Sequence, residues 1–175
     1  MNSLYHRLAI DGIRRHKRLY YPFVGTAVFF IVLINLCLSI KYDPITSTFF
    51  GKTTIITLMK LGSIILSIFA ILTISTNYKF IQKNKSEELG LYLMLGMEKK
   101  HLIKIYVNEL LYLFFKSIIF GTIISAVIYK LVLSGFIKLA NIKYNVLDSG
   151  VLPAIKPLLI TIFIFFVIFM LLLIQ

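Results

Sequence analysis

Hydrophobic residues are concentrated in four long blocks, which more polar stretches separate. The blocks fall at 20–40, 61–80, 106–137 and 157–175. A helix rises about 1.5 Å per residue, so about 20 residues match the hydrocarbon core of a bilayer, which is about 30 Å thick. The pattern therefore predicts an all-α membrane protein with four transmembrane helices.

The last block gives the strongest signal and the second the weakest. Of the seventeen residues 158–174, fifteen are Leu, Ile, Phe or Val. At about −0.3 to −0.6 kcal/mol each on an insertion scale, they favour insertion by roughly 4 to 9 kcal/mol. The second block is richer in Ser and Thr, whose hydroxyls can bond across helix contacts. We therefore expect the second span to face other helices rather than lipid.

Composition supports the membrane assignment. The chain has 175 residues, of which 59% are hydrophobic and 15% charged, and its mean hydropathy is +0.91. Soluble domains have about 45–50% apolar and about 25% charged residues. The net charge is +12, but the basic residues lie between apolar blocks rather than on one face of a soluble fold. The lipid bilayer, and not nucleic acid, is therefore the predicted partner of these charges.

The distribution of Lys and Arg predicts the orientation. Residues 1–19 and 79–105 contain eleven of them, whereas the connections 41–60 and 138–156 contain six. Cytoplasmic loops carry the excess of basic residues. We expect a multi-pass protein of the cell (plasma) membrane with a cytoplasmic N-terminus, extracellular loops at 41–60 and 138–156, and a cytoplasmic segment at 81–105.

Basic residues at the ends of the spans are predicted to be membrane-interface anchors. Residues 1–19 combine a short apolar side with basic residues, which predicts an interfacial amphipathic helix. Lys116 and Lys130 lie inside the third block, about 21 Å apart along a helix, so each can extend its ammonium group to an interface. A charge relay of Lys116 with Glu109 is the alternative, although about 10 Å separates them along the helix. The anchors are Arg14, Arg15, Lys17, Arg18, Lys116 and Lys130.

No pattern in the chain predicts catalysis, a cofactor or a metal site. The segment GKTT at 51–54 resembles part of a phosphate-binding loop, but the required first glycine is replaced by Thr46. The three histidines lack ligand spacing, and Cys37 is the single cysteine. The sequence therefore predicts that the chain is not an enzyme.

One run of residues resembles a known family. The segment EELGLYLMLGMEKKHLIKI, residues 87–105, resembles the segment after the second span in FtsX-like permeases of ABC transporters. It is most similar to the bacitracin-resistance (Bce-type) peptide-antibiotic permeases of Gram-positive bacteria, which carry E-x-G-x-Y-x-x-L-G-M before the third span. The opening LAIDGIRRHKRLYYPF, residues 8–23, is similar to the start of those proteins. The motif positions are filled by Glu88, Gly90, Tyr92, Leu95, Gly96 and Met97.

The resemblance implies a function that the residues alone do not. Residues 81–105, here called the coupling segment, would contain a cytoplasmic coupling helix that binds a separate ABC ATPase subunit, where ATP is hydrolysed. A peptide antibiotic or its lipid complex would be recognised by parts beyond these residues, and a membrane histidine kinase could be a further partner. The coupling residues would be Glu88, Gly90, Leu91, Tyr92, Leu95, Gly96 and Met97.

Two alternatives to a working transporter subunit stay open. Members of the family are several times longer, so we expect this chain to be the N-terminal portion of a permease. It could instead be a non-transporting accessory module of a sensor kinase, or an inactive truncated permease. Retention of an ABC ATPase by the chain would discriminate between these functions.

Overall fold

The described part of the chain folds into four long α-helices. The computed structural model describes residues 17–43, 51–94, 99–140 and 155–174. In these ranges the helices are α1 (Lys17–Tyr42), α2 (Lys52–Met94), α3 (Lys99–Ala140) and α4 (Ile155–Ile174). The predicted interfacial helix before residue 17 lies outside the described residues.

Each helix is long and apolar enough to cross a bilayer, so the predicted all-α membrane fold with four spans is confirmed. In lipid a helix satisfies its own backbone N–H and C=O groups, which is why uninterrupted apolar blocks fold in this way. The apolar stretches within the helices are Arg18–Tyr42, Lys52–Ser86, Tyr106–Gly135 and Ile155–Leu173.

The first helix is the centre of the bundle. Within the most apolar part of each helix, 44% of α1 is buried, compared with 11% of α2, 22% of α3 and 33% of α4. Both α2 and α3 pack mainly against α1 and make few contacts with each other in the described part of the chain. In the described part of the chain, α1 is therefore the helix against which the other two are assembled.

Small residues allow α1 and α3 to lie close together. On α3, Ser117, Gly121 and Ser125 recur at every fourth position and are all buried. A Cβ atom at Gly121 would lie 2.6 Å from Ile31 Cγ2 of α1, too close for any side chain. Because lipid tails are as apolar as the helices, association in a membrane depends on such van der Waals contact.

Tyrosine-to-carboxylate hydrogen bonds join α1 and α3 at both ends. The Tyr20 hydroxyl of α1 donates to Glu109 Oε1 of α3, and the Tyr129 hydroxyl of α3 donates to Asp43, which directly follows α1. Along the helices these two bonds lie about 30–35 Å apart, close to the thickness of the hydrocarbon core. They therefore mark the two ends of the bundle and show that α1 and α3 run parallel.

Four hydroxyls of α2 form hydrogen bonds within the helix itself, whereas the sequence predicted bonds across helix contacts. Thr57, Ser63, Ser67 and Thr76 each donate to a backbone carbonyl of α2 itself, three or four residues earlier. Much of this helix presents apolar side chains outward, among them Leu61, Ile65, Ile68 and Leu72. The expectation that the second span faces other helices is thus wrong, because backbone carbonyls satisfy its hydroxyls locally.

The GKTT segment forms the beginning of α2. Gly51 has φ 86°, in the left-handed region that glycine adopts readily, and directly precedes the helix. Its carbonyl accepts hydrogen bonds from the N–H groups of Thr54 at 3.0 Å and Ile55 at 3.2 Å. The segment therefore starts a helix, and the sequence gives it no complete phosphate-binding motif.

Candidate functional site

The predicted coupling residues begin on a helix that continues directly from the second span. The apolar stretch of α2 ends at Ser86, yet α2 itself runs unbroken to Met94. Glu88, Gly90, Leu91 and Tyr92 therefore belong to the same helix as the span. A displacement of this end is transmitted along α2, since no loop intervenes.

Near its C-terminal end, α2 is accessible at the two positions whose surroundings are described. A Cβ atom at Gly90 would meet nothing within 4 Å, and the Met94 side chain is 86% exposed. The predicted residues Leu95, Gly96 and Met97 lie outside the described residues, as do the side chains of Glu88, Leu91 and Tyr92. Surface is thus available at Gly90 and Met94 for a partner.

A buried polar cluster lies just before this end of α2. It consists of Tyr20 of α1, Lys85 of α2 and Glu109 of α3, which are 3%, 9% and 4% exposed. Lys85 Nζ lies 2.5 Å from Glu109 Oε1, and the same oxygen accepts the hydrogen bond from the Tyr20 hydroxyl. Lys85 Nζ also lies 5.0 Å from the centre of the Tyr20 ring. Each member of the cluster therefore interacts with the other two.

Helical spacing explains why these charged residues point inward. From Ala70 onward the buried positions of α2 follow one face at intervals of three or four residues, and Lys85 is the last of them among the described side chains. Glu109 occupies the corresponding place at the start of the buried face of α3. The buried positions on α2 are Ser63, Ala70, Ile74, Tyr78, Ile81 and Lys85.

Aromatic and polar side chains surround the cluster. The Tyr78 ring of α2 packs near Phe23 of α1, with ring centroids 6.3 Å apart. Asn77 Nδ2 of α2 donates to Thr26 Oγ1 of α1 at 3.0 Å. The beginning of α1, the end of the second span and the beginning of the third are therefore fixed to one another.

The chemistry of the cluster suits a mechanical role. A buried charge is costly without a partner, so Lys85 and Glu109 depend on each other. Together with Tyr20, the pair joins three helices at one end of the bundle. Among the described residues, no group of three or more His, Cys, Asp or Glu side chains could hold a metal ion.

The sequence did not reveal that Glu109 pairs with Lys85. The alternative considered for Glu109 was a relay with Lys116, seven residues away on the same helix. A signal did exist, because a carboxylate at the edge of an apolar block requires a cationic or hydrogen-bonding partner. It could not select Lys85 from the several lysines nearby, since the rotation of α2 was unknown.

The predicted membrane anchors are only partly described. Arg18 is exposed at the start of α1, and Lys17 is the first residue of that helix. Lys116 and Lys130 are partly exposed on α3. Arg14 and Arg15 lie outside the described residues. Anchoring by these residues stays a prediction.

Comparison with known proteins identifies the family. A family model described as "FtsX-like permease C-terminal" matches residues 59–174, about two thirds of the chain. The chain belongs to the FtsX-like permease family. The predicted membership is confirmed, and the chain is a multi-pass membrane protein.

Two curated relatives carry the same description, "Bacitracin export permease protein BceB". The protein from Bacillus subtilis is 29% identical over 139 residues, which are 79% of this chain and 21% of that relative. The protein from Halalkalibacterium halodurans is 26% identical over 147 residues, 81% of this chain and 23% of the relative. The chain thus spans about a fifth of the length of these relatives.

Proposed function

We propose that the chain is the N-terminal part of the permease of an ABC transporter that confers resistance to, or senses, a peptide antibiotic. A separate ABC ATPase subunit supplies the energy and docks on the coupling segment, and the permease itself has no catalytic site. The export of bacitracin named for the two relatives supports this class of cargo.

The observation that carries the proposal is the continuity of α2. The helix joins the second span to the residues Glu88 to Tyr92 without a break, and Gly90 and Met94 are open at its end. A subunit that moves this end moves the span as well. An exposed helix end that presents an apolar side chain, as Met94 does here, is a common docking element for a partner protein.

The positive-inside bias supports a cytoplasmic location for this end. Lys79, Lys83 and Lys104 are exposed around it, as is Arg18. We therefore place the N-terminus and the coupling segment in the cytoplasm of a Gram-positive cell. The antibiotic or its lipid complex would contact parts of the permease beyond these residues, and the membrane histidine kinase is a possible second partner of those parts.

Co-purification tests the proposal. The chain is coexpressed with the ABC ATPase of the same transporter, solubilised and isolated through a tag on the permease. We expect the ATPase to be retained, and we expect Gly96→Arg to reduce its retention at least tenfold, since a long charged side chain would separate the two surfaces. Asn84→Arg is the matched control, because it adds the same side chain at an exposed position of α2 before the motif.

Three results would contradict the docking role. These are the absence of the ATPase from the unmodified chain, equal retention by Gly96→Arg, and equal loss with Asn84→Arg. Retention of a histidine kinase without an ATPase would favour the accessory-module alternative.

A further inference from the structure

We propose that the polar cluster of Tyr20, Lys85 and Glu109 is a latch that fixes the distance between the cytoplasmic ends of α2 and α3 and connects both to α1. The inference rests on the proposed function, because it concerns how movement of the coupling segment reaches the spans. These three are positioning residues, since their role is to hold helices.

The first argument is the arrangement of the helices. In the described residues α2 and α3 pack mainly against α1 and little against each other. The Lys85–Glu109 ion pair directly links them at the base of the coupling segment, where α2 leaves its apolar stretch and α3 enters its own. The separation of the two ends therefore depends strongly on this pair.

The second argument is that one carboxylate oxygen serves both neighbours. Glu109 Oε1 accepts from Lys85 Nζ of α2 and from the Tyr20 hydroxyl of α1. A shift of α2 that withdraws Lys85 leaves Glu109 with a buried charge and, among the described residues, only the Tyr20 donor. Withdrawal of Lys85 therefore also disturbs the contact between α3 and the central helix, and the three helices respond together.

The third argument is a nearby pivot. Asn77 of α2 is bonded to Thr26 of α1 about 12 Å along the helix from Lys85. The end of α2 beyond Asn77 carries Lys85 and the coupling residues. Force applied near Met94 acts on Lys85 before it acts on the Asn77 contact, so the latch is the first polar link to open.

The latch is tested by measuring the distance between spin labels on either side of it. Cysteines replace Asn84 on α2 and Lys104 on α3, both exposed, in a chain whose native cysteine is removed by Cys37→Ser. Pulsed electron resonance on the full chain in liposomes then gives the distribution of distances. We expect one narrow distribution for the intact latch and at least a twofold broadening for Lys85→Met.

Matched variants separate the latch from general effects of charge and folding. Lys83→Met removes an exposed lysine two residues away and should leave the distribution narrow. The exchange Lys85→Glu with Glu109→Lys restores a pair and should be narrow, whereas Lys85→Met with Glu109→Met removes both charges without leaving one unpaired and should be broad. An unchanged distribution in Lys85→Met, or equally narrow distributions in the two double variants, would overturn the latch.

A second measurement distinguishes failure of the latch from failure of the proposed function. The labelled permease is bound to its ATPase, and the distances without nucleotide and with ATP are compared. We expect ATP to shift the distribution, and Lys85→Met to reduce that shift at least threefold while the ATPase is still retained. An ATPase that does not bind at all contradicts the proposed function, whereas binding with an equal shift in both proteins overturns the latch alone.

Discussion

Gly121 of α3 lies directly against the Ile31 side chain of α1, the helix that runs parallel to it. A Cβ atom at position 121 would lie 2.6 Å from Ile31 Cγ2 and 2.9 Å from Ile31 Cβ. Ile31 is 1% exposed, so its side chain is enclosed by neighbouring residues. The contact therefore fixes how closely α3 approaches the centre of the bundle.

Gly121→Ala should destabilise the bundle even though alanine is the better helix former. Overpacking of a dense core costs about 1–3 kcal/mol. The gain in helix propensity from Gly to Ala is about 1 kcal/mol, so the cost of overpacking is expected to be the larger effect. Gly135→Ala is the control, since a Cβ atom there would meet nothing within 4 Å. Thermal unfolding of the purified protein in detergent should show a lower midpoint for Gly121→Ala than for Gly135→Ala. Equal midpoints would contradict the contact.

Tyr129→Phe should loosen the contact between the C-terminal parts of α1 and α3. It removes the hydrogen bond to Asp43, and interhelical bonds in membrane proteins average about 0.6 kcal/mol with a maximum near 1.7 kcal/mol. Tyr21→Phe removes a hydroxyl from a side chain that is 66% exposed and should cost less. Titration with a denaturing detergent measures the free energy of unfolding of the Tyr129→Phe and Tyr21→Phe variants, and these two values are compared. A larger loss in Tyr21→Phe would contradict the structural role of Tyr129.

The number and type of the spanning elements follow from the sequence, but the extent of α2 does not. Hydropathy falls after residue 80, where the predicted second span ends, whereas α2 continues to Met94. Loss of hydropathy marks where lipid ends, and it does not mark where a helix ends. Residues 81–94 contain several good helix formers and no proline or helix-ending glycine pair, so the helix is free to continue.

The rotation of each helix about its axis is the other property that the sequence leaves undetermined. In a soluble helix the apolar face identifies the core, but in lipid both the core face and the outer face are apolar. The sequence therefore did not distinguish Lys85, which points inward, from exposed lysines such as Lys83. The spacing of Ser117, Gly121 and Ser125 is an exception. Small residues at every fourth position favour close helix contact, so this face of α3 could have been predicted to point toward another helix.

Ser125→Ala should be tolerated better than Ser39→Ala. Ser39 Oγ of α1 donates to Asn35 Oδ1 at 3.0 Å, whereas Ser125 Oγ is buried with no hydrogen-bond partner in the described part of the chain. Removal of a partnered hydroxyl also leaves the Asn35 oxygen unsatisfied, and an unsatisfied buried group costs about 1–3 kcal/mol. The difference in thermal unfolding midpoint between the two alanine variants measures the cost of losing the Ser39–Asn35 hydrogen bond. A loss in Ser125→Ala as large as that in Ser39→Ala would show that Ser125 does have a partner.

Gly62→Cys should allow a disulfide between α2 and α1. A Cβ atom at position 62 would lie 3.9 Å from Cys37 Sγ, so a sulfur added there is near Cys37 Sγ, and a rotation of the Cys37 side chain can bring the two sulfurs to the S–S bond length of about 2.04 Å. After treatment of membranes with a lipid-soluble oxidant, denaturation and alkylation, mass spectrometry counts the free thiols. We expect none in Gly62→Cys, because both sulfurs are consumed within one chain.

Gly25→Cys also has two thiols but has nothing within 4 Å of the new Cβ, and both should stay free. Two alkylated thiols in Gly62→Cys would show that α2 does not lie against α1 at this level, and the packing of the N-terminal half of α2 would need revision.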